Sequence, residues 1–316
     1  MGSKKRILQV KYKPLVQNDY FVSIGGDIYT IPAFLREKKR YPYYNELIDI
    51  ENRIIKNGKH VLVYGASIGP FGNYLPAVNY YKNELSKTTL IICREYESVK
   101  YLKSLGLKNV TFLPDPAFLV HSNVTKPYSS ERQYIGLNFS PLSFSEIYGK
   151  INSESILQIA NLVSEISKTT GKKILLIPHV VSIDPRDDDL RFLKLLSEKT
   201  GSKLADTSNG FLGIKDQLQD CCMVASARMH CCVSAIVENI PTIFISYSQK
   251  SIGMCEYVYG DQKWNVSLKD IESRLIPLIN EMYFDRIEIS NKIKIRNKEI
   301  LSYYHDHVLE IKKFLK

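Results

Sequence analysis

The chain of 316 residues is long enough for two domains of ordinary size, and its 24% charged and 44% hydrophobic residues exclude a disordered protein. No apolar run reaches the length of a membrane span, and the beginning of the sequence lacks the apolar core of a signal peptide, so we expect a cytoplasmic protein. The formal net charge of +10 favours anionic partners, such as phosphorylated substrates or anionic lipid head groups. Since no zinc-finger, helix-turn-helix or RNA-binding signature accompanies this charge, we do not expect nucleic-acid binding.

Strand-like and helix-like segments alternate through the first part of the chain. An apolar run over residues 19–24 ends in two glycines, a helical pattern covers residues 44–56, and a strand over residues 60–64 ends at Gly65. The next predicted elements are a helix at 76–85, a strand at 89–93, a helix at 95–105 and a strand at 110–113. This repeated order predicts a largely parallel sheet.

A polar segment, residues 121–132, has the composition of a linker, and the alternation starts again after it. The predicted strands are at 134–139, 173–178, 203–205, 222–225 and 242–246, and the predicted helices are at 153–169 and 187–199, with a wholly helical tail at 268–316. The pattern predicts an α/β fold of two Rossmann-like doubly wound domains. We expect these domains at residues 1–125 and 126–266, and C-terminal helices at 267–316 that pack back on the first domain.

The six cysteines predict buried thiols rather than disulfides or a zinc site. Cys221-Cys222 and Cys231-Cys232 are adjacent pairs in apolar segments, and neighbours on a strand point to opposite faces, so neither pair chelates one ion easily. No CxxC spacing occurs, and reduced thiols fit a cytoplasmic protein. We therefore expect no metal site.

Residues 221–250 predict a strand, a turn, a helix and a second strand, with Ser226 as the N-cap of the helix. Arg228 and His230 then lie where the first strand passes into the helix, beside its free N–H groups and the positive end of its dipole. A fixed cation beside a histidine, which ordinarily titrates near neutrality, favours a site that binds phosphate or carboxylate and moves a proton. The alternative is structural: Arg228 pairs with an acidic side chain, and His230 only supports its neighbours.

Three strand ends of the first half carry further candidates. The turn over residues 65–72 contains Gly69, whose backbone can approach a ligand closely, and Ser67, which can donate to a phosphate or a sugar hydroxyl. The turn matches neither a P-loop nor a dinucleotide fingerprint, so packing alone remains an alternative. Arg94 either faces a ligand or pairs with acidic residues of the helix that follows it, and Asp115 either caps a rigid turn or points into a cleft.

Two basic side chains follow strands in the second half. His179 ends one predicted strand, and the acidic stretch after it, residues 184–189, is expected to cap the next helix. Lys250 follows the strand after the Arg228 segment. Because parallel strands end at the same edge of a sheet, we expect His179, Lys250, Arg228 and His230 to form one basic cluster that faces the first domain.

Taken in order, these segments resemble the polysaccharide pyruvyl transferase family. The resemblance covers residues 19–260 and rests on Gly25-Gly26-Asp27, Ser67-Ile-Gly-Pro-Phe71, Arg94-Glu95 with Ser98, Pro114-Asp115, Pro178-His179, Arg228-Met-His230, and Lys250 after Tyr247. No single segment is specific, whereas their order and spacing are.

The resemblance implies a GT-B-like fold, in which two Rossmann-like domains face each other across a cleft. It also implies that the pyruvate unit of phosphoenolpyruvate is transferred as a ketal to a sugar of a surface polysaccharide or its lipid-linked precursor, with release of phosphate and without a cofactor. The catalytic residues would be His230, Arg228 and His179, and the substrate-binding residues Lys250, Ser67, Gly69, Arg94, Asp115, Gly26 and Asp27. A lipid-linked acceptor would bring the enzyme to the inner face of the membrane as a peripheral protein.

The chain departs from the family at its start, where members carry a longer first segment with its own glycine-containing loop. The abbreviated segment before Asp19 puts the acceptor side of the site in question. Two other functions fit the same fold. One is a GT-B glycosyltransferase that uses a nucleotide sugar, and the other is a catalytically inactive glycan-binding homologue.

Overall fold

The computed structural model describes residues 18–124, 126–129, 131–148, 151–247 and 249–311. The expected departure from the family before Asp19 therefore lies outside the described residues. The described residues form two compact units, the first comprising residues 18–116 and 302–311 and the second lying within residues 117–301. This division differs from the expected boundary between residues 125 and 126. The expected third segment, residues 267–316, is not a separate unit, and its larger part belongs to the second unit.

The first unit contains a four-stranded parallel sheet in the order β1-β2-β3-β4. Its strands are β1 (Tyr20–Tyr29), β2 (His60–Ile68), β3 (Leu90–Cys93) and β4 (Val110–Phe112). The helices between them are α1 (Ala33–Arg36), α2 (Glu46–Lys56), α3 (Leu75–Leu85) and α4 (Tyr96–Ser104). Apart from the short α1, the sequence predicted each of these elements, because buried parallel strands appear as apolar runs between turn residues.

Strand β2 continues to Ile68 instead of ending at Gly65, where the sequence predicted its end. The φ angle of Gly65 is +69°, and a Cβ atom added there would lie 2.7 Å from Cδ of Pro116. The pairing between β2 and β3 shifts register between Tyr64 and Ala66. The glycine therefore forms an irregularity inside the strand and does not end it, so β2 continues for three more residues after Gly65.

The end of the last helix, α12 (Arg286–Ile311), belongs to the first unit. Tyr303, Tyr304 and Ile311 pack against buried side chains of β2, β3 and the segment after β4. The hydroxyl groups of Tyr64 and Tyr304 form a hydrogen bond. One face of the first sheet is thus covered by the C-terminal end of the described chain.

Glu51 of α2 is a buried acid in the first unit, with 5% of its surface exposed, and it accepts a hydrogen bond from the hydroxyl of Tyr29. Burial raises the pKa of Glu51 to about 7 from its ordinary value of 4.5, and the hydrogen bond from Tyr29 only partly opposes this shift. Because the pKa is higher in the folded than in the unfolded state, the stabilising contribution is fully present below pH 4.5 and is lost as the pH rises through about 7.

We therefore expect the unfolding free energy of the wild-type protein to fall by roughly 2 to 3 kcal/mol between about pH 5 and pH 8, relative to a Glu51→Gln variant. Urea unfolding over this pH range measures the difference. Glu97→Gln, which changes an exposed carboxyl of α4, is the matched control and should keep the wild-type pH dependence. Parallel pH profiles for wild type and Glu51→Gln would contradict the raised pKa.

The second unit contains a six-stranded parallel sheet in the order β10-β9-β8-β5-β6-β7. Its strands are β5 (Tyr134–Asn138), β6 (Lys173–Leu176), β7 (Lys203–Leu204), β8 (Cys221–Ser226), β9 (Thr242–Ser246) and β10 (Asn265–Ser267). Numbered within this unit and read from β7, the order is 3-2-1-4-5-6, which is that of dinucleotide-binding Rossmann domains. The direction of the order reverses between β5 and β8.

The helices of the second unit include three that the sequence did not predict. The helices are α5 (Pro141–Tyr148), α6 (Ser153–Thr170), α7 (Asp189–Thr200), α8 (Gly210–Leu218), α9 (Met229–Val237), α10 (Gln249–Tyr259) and α11 (Ile271–Phe284). The unpredicted ones are α5, α8 and α10. Glycines at 210 and 213 lower the helix propensity of α8, so tertiary packing decides its conformation.

The polar segment 121–132 is anchored on the second unit, although its composition suggested a linker. The backbone N–H of Ser122 donates to Glu238 Oε1 at 2.8 Å, and the backbone N–H of Lys126 donates to Gln219 Oε1 at 2.7 Å. Backbone N–H groups of the segment thus donate to side chains at the ends of two helices of the second unit.

Helix α11 and most of α12 complete the core of the second unit. Their buried side chains join those of β5, β8 and β9 in one cluster, to which they contribute Ile271, Leu275, Leu278, Ile279, Met282, Ile289, Ile293 and Ile300. This burial explains why residues 267–301 belong to the second unit. The predicted α/β fold with parallel sheets and a helical C-terminal region is confirmed, and all six cysteines are buried free thiols. No helix among the described residues is long and apolar enough to cross a membrane.

Candidate active site

The carboxyl ends of β5 and β8 meet where the strand order of the second sheet reverses, the position at which open parallel sheets bind ligands. Asn138 ends β5 and Ser226 ends β8, and these two residues are paired in register. His179 follows β6, the neighbour of β5 on the other side. Helix α9 begins after β8 at the same edge, and the N–H groups of its first turn have no acceptors within the helix.

The N-cap residue of α9 is Arg228, so the predicted cap at Ser226 was wrong. Ser226 is still part of β8, and its hydroxyl donates to Oδ1 of Asn138 at 3.0 Å. The helix consequently starts two residues later than expected. The side chain of Arg228 makes no capping hydrogen bond, which leaves the first N–H groups of α9 without a side-chain acceptor from the cap residue.

Two carboxylates hold the guanidinium of Arg228. Nε and Nη2 donate to Oδ1 of Asp189 at 3.1 and 2.9 Å, and Nη2 also donates to Oδ1 of Asp187 at 2.6 Å. Burial disfavours the charge, but the hydrogen bonds and negative charges of Asp189 and Asp187 outweigh burial, so the pKa of Arg228 lies above its ordinary value. The acidic pairing that the sequence left open as an alternative is therefore present. Within the described part of the chain, Nη1 forms no hydrogen bond.

Sequence reasoning missed two buried polar residues at this edge, Asn138 and Asp189, neither of which has exposed surface. The acidic stretch 184–189 was expected only to cap the next helix. Asp188 does so, because its carboxylate accepts from the backbone N–H of Leu190 at 3.1 Å. Asp189 instead points into the unit. The available signal for Asn138 was a polar residue at the end of an otherwise apolar strand.

His179 lies close to Arg228 and His230, and its ring meets that of Phe211 edge to face with the centroids 5.7 Å apart. Burial, together with the neighbouring charges of His230 and Arg228, lowers the pKa of His179 to about 3. The imidazole is therefore neutral at physiological pH. Its Nδ1 is buried without a hydrogen-bond partner among the described residues, so a ligand that reached this nitrogen would satisfy it.

His230 is the second residue of α9 and Lys250 the second residue of α10, and both are partly buried. Strand β9, which precedes α10, is the neighbour of β8, so Lys250 belongs to the same edge of the sheet as Arg228. The structure thus brings His179, Arg228 and His230 together and positions Lys250 after the adjacent strand. This arrangement combines cations, a neutral imidazole and helix N–H groups, which can bind an anion and transfer a proton.

The predicted residues of the first unit form a separate group at the carboxyl ends of β2, β3 and β4. Nε of Arg94 donates to Oγ of Ser67 at 2.9 Å, and Nη1 donates to Oδ2 of Asp115 at 3.0 Å. Only 1%, 7% and 2% of the surfaces of Ser67, Arg94 and Asp115 are exposed. Asp115 is a partner that the sequence did not predict for Arg94. Removing either partner of such a pair would leave an uncompensated charge in a buried position.

The turn after β2 has a packing role at Gly69. Its φ angle is +74°, and an added Cβ atom would clash with the ring of Tyr101, so no larger residue fits without displacing that ring. The remaining two predicted residues, Gly26 and Asp27, lie in β1, where Gly26 is paired with Ala66 of β2. A ligand-binding role for these three residues stays a prediction.

The protein has a GT-B-like α/β fold, which consists of two parallel sheets flanked by helices. The polar cluster lies in the second sheet, where the strand order reverses. The chain belongs to the polysaccharide pyruvyl transferase family, whose model matches residues 2–249. The match includes every predicted site residue except Lys250, which follows its last position. No curated protein matches the chain significantly.

Solved structures support the fold assignment. Anabaena HepE, determined in complex with UDP and glucose, superposes with a TM-score of 0.61 at 10% sequence identity, over 97% of this chain and 81% of that protein. UDP-GlcNAc 2-epimerase from Methanocaldococcus jannaschii gives a TM-score of 0.54 at 14% identity, over 86% of this chain and 72% of that one. Identities this low show a common fold and nothing further.

A third similar structure is that of accessory secretory proteins 1, 2 and 3 from Streptococcus pneumoniae, with a TM-score of 0.53 at 11% identity. The match covers 98% of this chain and 56% of that one, so the chain spans little more than half the length of this relative.

Proposed function

We propose that the protein transfers the pyruvate unit of phosphoenolpyruvate to a sugar of a surface polysaccharide, such as a capsule or exopolysaccharide, or of its lipid-linked precursor. The observation that carries the proposal is the cluster of Arg228, His230 and His179 at the strand-order reversal, in a chain that belongs to the pyruvyl transferase family. Phosphoenolpyruvate carries a phosphate and a carboxylate, the two anions that such a cluster binds well.

The charges around Arg228 determine how the donor would bind. Asp187 and Asp189 neutralise the guanidinium, so Arg228 contributes directional hydrogen bonds from Nη1 more than net positive charge. The attraction for the phosphate and carboxylate then comes from the N-terminus of α9 and from Lys250. The unsatisfied Nδ1 of neutral His179 adds a hydrogen-bonding group for the donor or the acceptor.

The proposed reaction needs one proton donor and one proton acceptor. A proton adds to the methylene carbon C3, and the oxygen of one sugar hydroxyl bonds to C2 as that hydroxyl loses its proton. The bond between C2 and the phosphate oxygen breaks, and phosphate leaves with the electron pair. A second sugar hydroxyl then bonds to C2 and closes the ketal, and its proton passes to the released phosphate. His230 is proposed as the acid and base, because imidazole serves both roles near neutral pH. His179 and Asp115 are secondary candidates.

Turnover with phosphoenolpyruvate tests the proposal. The full-length protein is incubated with phosphoenolpyruvate and a panel of sugar acceptors, and phosphate release is measured together with the gain in acceptor mass. We expect both signals to appear together with at least one acceptor. Saturable binding of sugars without turnover of any donor would instead support an inactive glycan-binding protein.

A nucleotide-sugar glycosyltransferase is the second candidate function, because HepE has a similar fold and its structure contains UDP and glucose. The helix N-terminus that we propose for phosphoenolpyruvate would hold a diphosphate equally well. Thermal shift separates the two candidates. Stabilisation by UDP without stabilisation by phosphoenolpyruvate would favour the glycosyltransferase.

A lipid-linked acceptor would require contact with the membrane surface, and we propose that the exposed cations of residues 38–40 provide it. Lys38, Lys39 and Arg40 are consecutive and exposed. We expect the protein to sediment with vesicles that contain anionic lipid. At about 1 kcal/mol per basic residue, Lys38→Gln/Lys39→Gln/Arg40→Gln should weaken this binding roughly 100-fold. A control with equal charge loss, at exposed lysines 100, 103 and 108, should bind like wild type. Equal losses in the two variants would contradict a local patch.

A further inference from the structure

Asn138 and Asp189 are fully buried polar residues that the proposed mechanism does not use. Asn138 is the last residue of β5, and Asp189 is the first residue of α7. Both belong to the edge of the sheet where Arg228 and His179 lie. Burying a carboxylate without exposed surface is costly unless its oxygens are satisfied by hydrogen bonds. The contacts of both residues therefore show which groups they fix in position.

The carboxylate of Asp189 binds two separate parts of the candidate site. Oδ1 accepts from Nε and Nη2 of Arg228 at 3.1 and 2.9 Å, and Oδ2 is 3.3 Å from Nε. Oδ2 also accepts from the backbone N–H groups of His179 and Val180, at 3.2 and 3.1 Å. One side chain thus fixes the guanidinium of Arg228 and the backbone that carries the imidazole of His179.

The amide of Asn138 completes this arrangement. Its Nδ2 donates to Oδ2 of Asp189 at 3.0 Å and to the carbonyl oxygen of Ile177 at 2.8 Å. Its Oδ1 accepts from the backbone N–H of Arg228 at 3.1 Å and from the hydroxyl of Ser226 at 3.0 Å. The amide therefore orients the carboxylate and the backbone of the residue that the carboxylate binds.

We infer that Asn138 and Asp189 are positioning residues, which hold the guanidinium of Arg228 so that Nη1 is presented to phosphoenolpyruvate while Nε and Nη2 are occupied. The inference rests on the proposed function for the identity of the ligand. A merely structural role would stabilise the unit without acting through Arg228. The two roles differ in whether the effect of Asp189 on activity depends on Arg228.

A double-mutant cycle tests this dependence. We expect Asp189→Asn to raise KM for phosphoenolpyruvate and to lower kcat/KM roughly 100-fold, since a small displacement of a positioning group costs about that much, while KM for the acceptor stays unchanged. In an Arg228→Lys background, the same substitution should change kcat/KM less than about twofold. An equal effect of Asp189→Asn in both backgrounds overturns the inference.

Asp187→Asn is the matched control, because Asp187 binds the same guanidinium but its side chain is 40% exposed. We expect it to lower kcat/KM by less than about threefold, as solvent replaces an exposed partner easily. If Asp189→Asn does not fold, Asn138→Ser keeps the carboxylate of Asp189 but removes the amide that donates to it and one of the two acceptors of the Arg228 backbone N–H, the other being Oγ of Ser226. This variant should still raise KM for phosphoenolpyruvate. A larger effect of Asp187→Asn than of Asp189→Asn would overturn the assignment.

A second measurement does not require activity and so separates this inference from the proposed function. In the wild-type protein, the Nε–H of Arg228 should give an NMR resonance protected from solvent exchange, because it donates to a carboxylate without exposed surface. Protection should be lost in Asp189→Asn and kept in Asp187→Asn. If the resonance stays protected in Asp189→Asn, the positioning role is overturned. If protection is lost only in Asp189→Asn but the wild-type protein does not transfer pyruvate, the positioning role stands and only the proposed function is refuted.

Discussion

His230→Ala is expected to lower kcat for pyruvyl transfer roughly 10²- to 10⁴-fold, the usual contribution of a general acid or base. The proposed reaction protonates C3 of phosphoenolpyruvate and removes a proton from a sugar hydroxyl. His230 lies in the first turn of α9 next to Arg228, whereas His179 has a pKa lowered to about 3 and is therefore neutral at physiological pH. We therefore propose His230, rather than His179, as the residue that transfers the proton. The measurement is the rate of phosphate release at saturating phosphoenolpyruvate.

His305→Ala is the control, because His305 is an exposed histidine of α12. It should leave kcat unchanged. Thermal unfolding of both variants separates a loss of chemistry from a loss of folded protein. Full activity of His230→Ala would remove this residue from the mechanism without affecting the family assignment.

Asp115→Asn is expected to destabilise the first unit by roughly 3 to 5 kcal/mol, the usual cost of removing one partner of a buried ion pair. Asp115 is 2% exposed and accepts from Nη1 of Arg94 at 3.0 Å, and Arg94 also donates to Ser67. The substitution removes the opposite charge while the guanidinium stays buried. Urea unfolding at constant pH measures the free energy.

The ion pair of Lys126 and Asp220 provides the matched control, since both side chains are about half exposed, at 50% and 46%. Asp220→Asn should cost less than about 1 kcal/mol. Replacing both buried partners, as in Arg94→Met/Asp115→Leu, should cost less than Asp115→Asn alone, because no unpaired charge then remains. A stability loss in Asp115→Asn no larger than that in Asp220→Asn would contradict the buried pair.

The strands and the longer helices were predictable from the sequence because their signals are local. Strand β9 has the predicted bounds, and β8 and α6 differ from prediction by one or two residues, since buried strands are apolar runs and helix ends carry caps. The continuation of β2 beyond Gly65 was not predictable. It depends on a close approach of Pro116, which lies 51 positions away in the sequence.

Site residues that directly follow a strand were predictable from the sequence. Site residues that bind a partner distant in the sequence were not. Arg228 and His230 follow a strand directly, so topology alone assigns them to the carboxyl edge of the sheet. Asp189 binds Arg228 across 39 residues and Asn138 binds Asp189 across 51. No periodicity or spacing indicates such contacts. Sequence reasoning could therefore state that Arg228 pairs with an acid, but not which acid.

Following the C2 carbon of phosphoenolpyruvate gives a direct test of pyruvyl transfer. Phosphoenolpyruvate labelled with carbon-13 at C2 is incubated with the full-length protein and a sugar acceptor, and the label is followed by NMR while phosphate is quantified. We expect the label to appear as a ketal carbon of the sugar, with one phosphate released for each ketal formed. A label that stays in phosphoenolpyruvate or free pyruvate with every acceptor, while a nucleotide sugar is consumed, would contradict pyruvyl transfer.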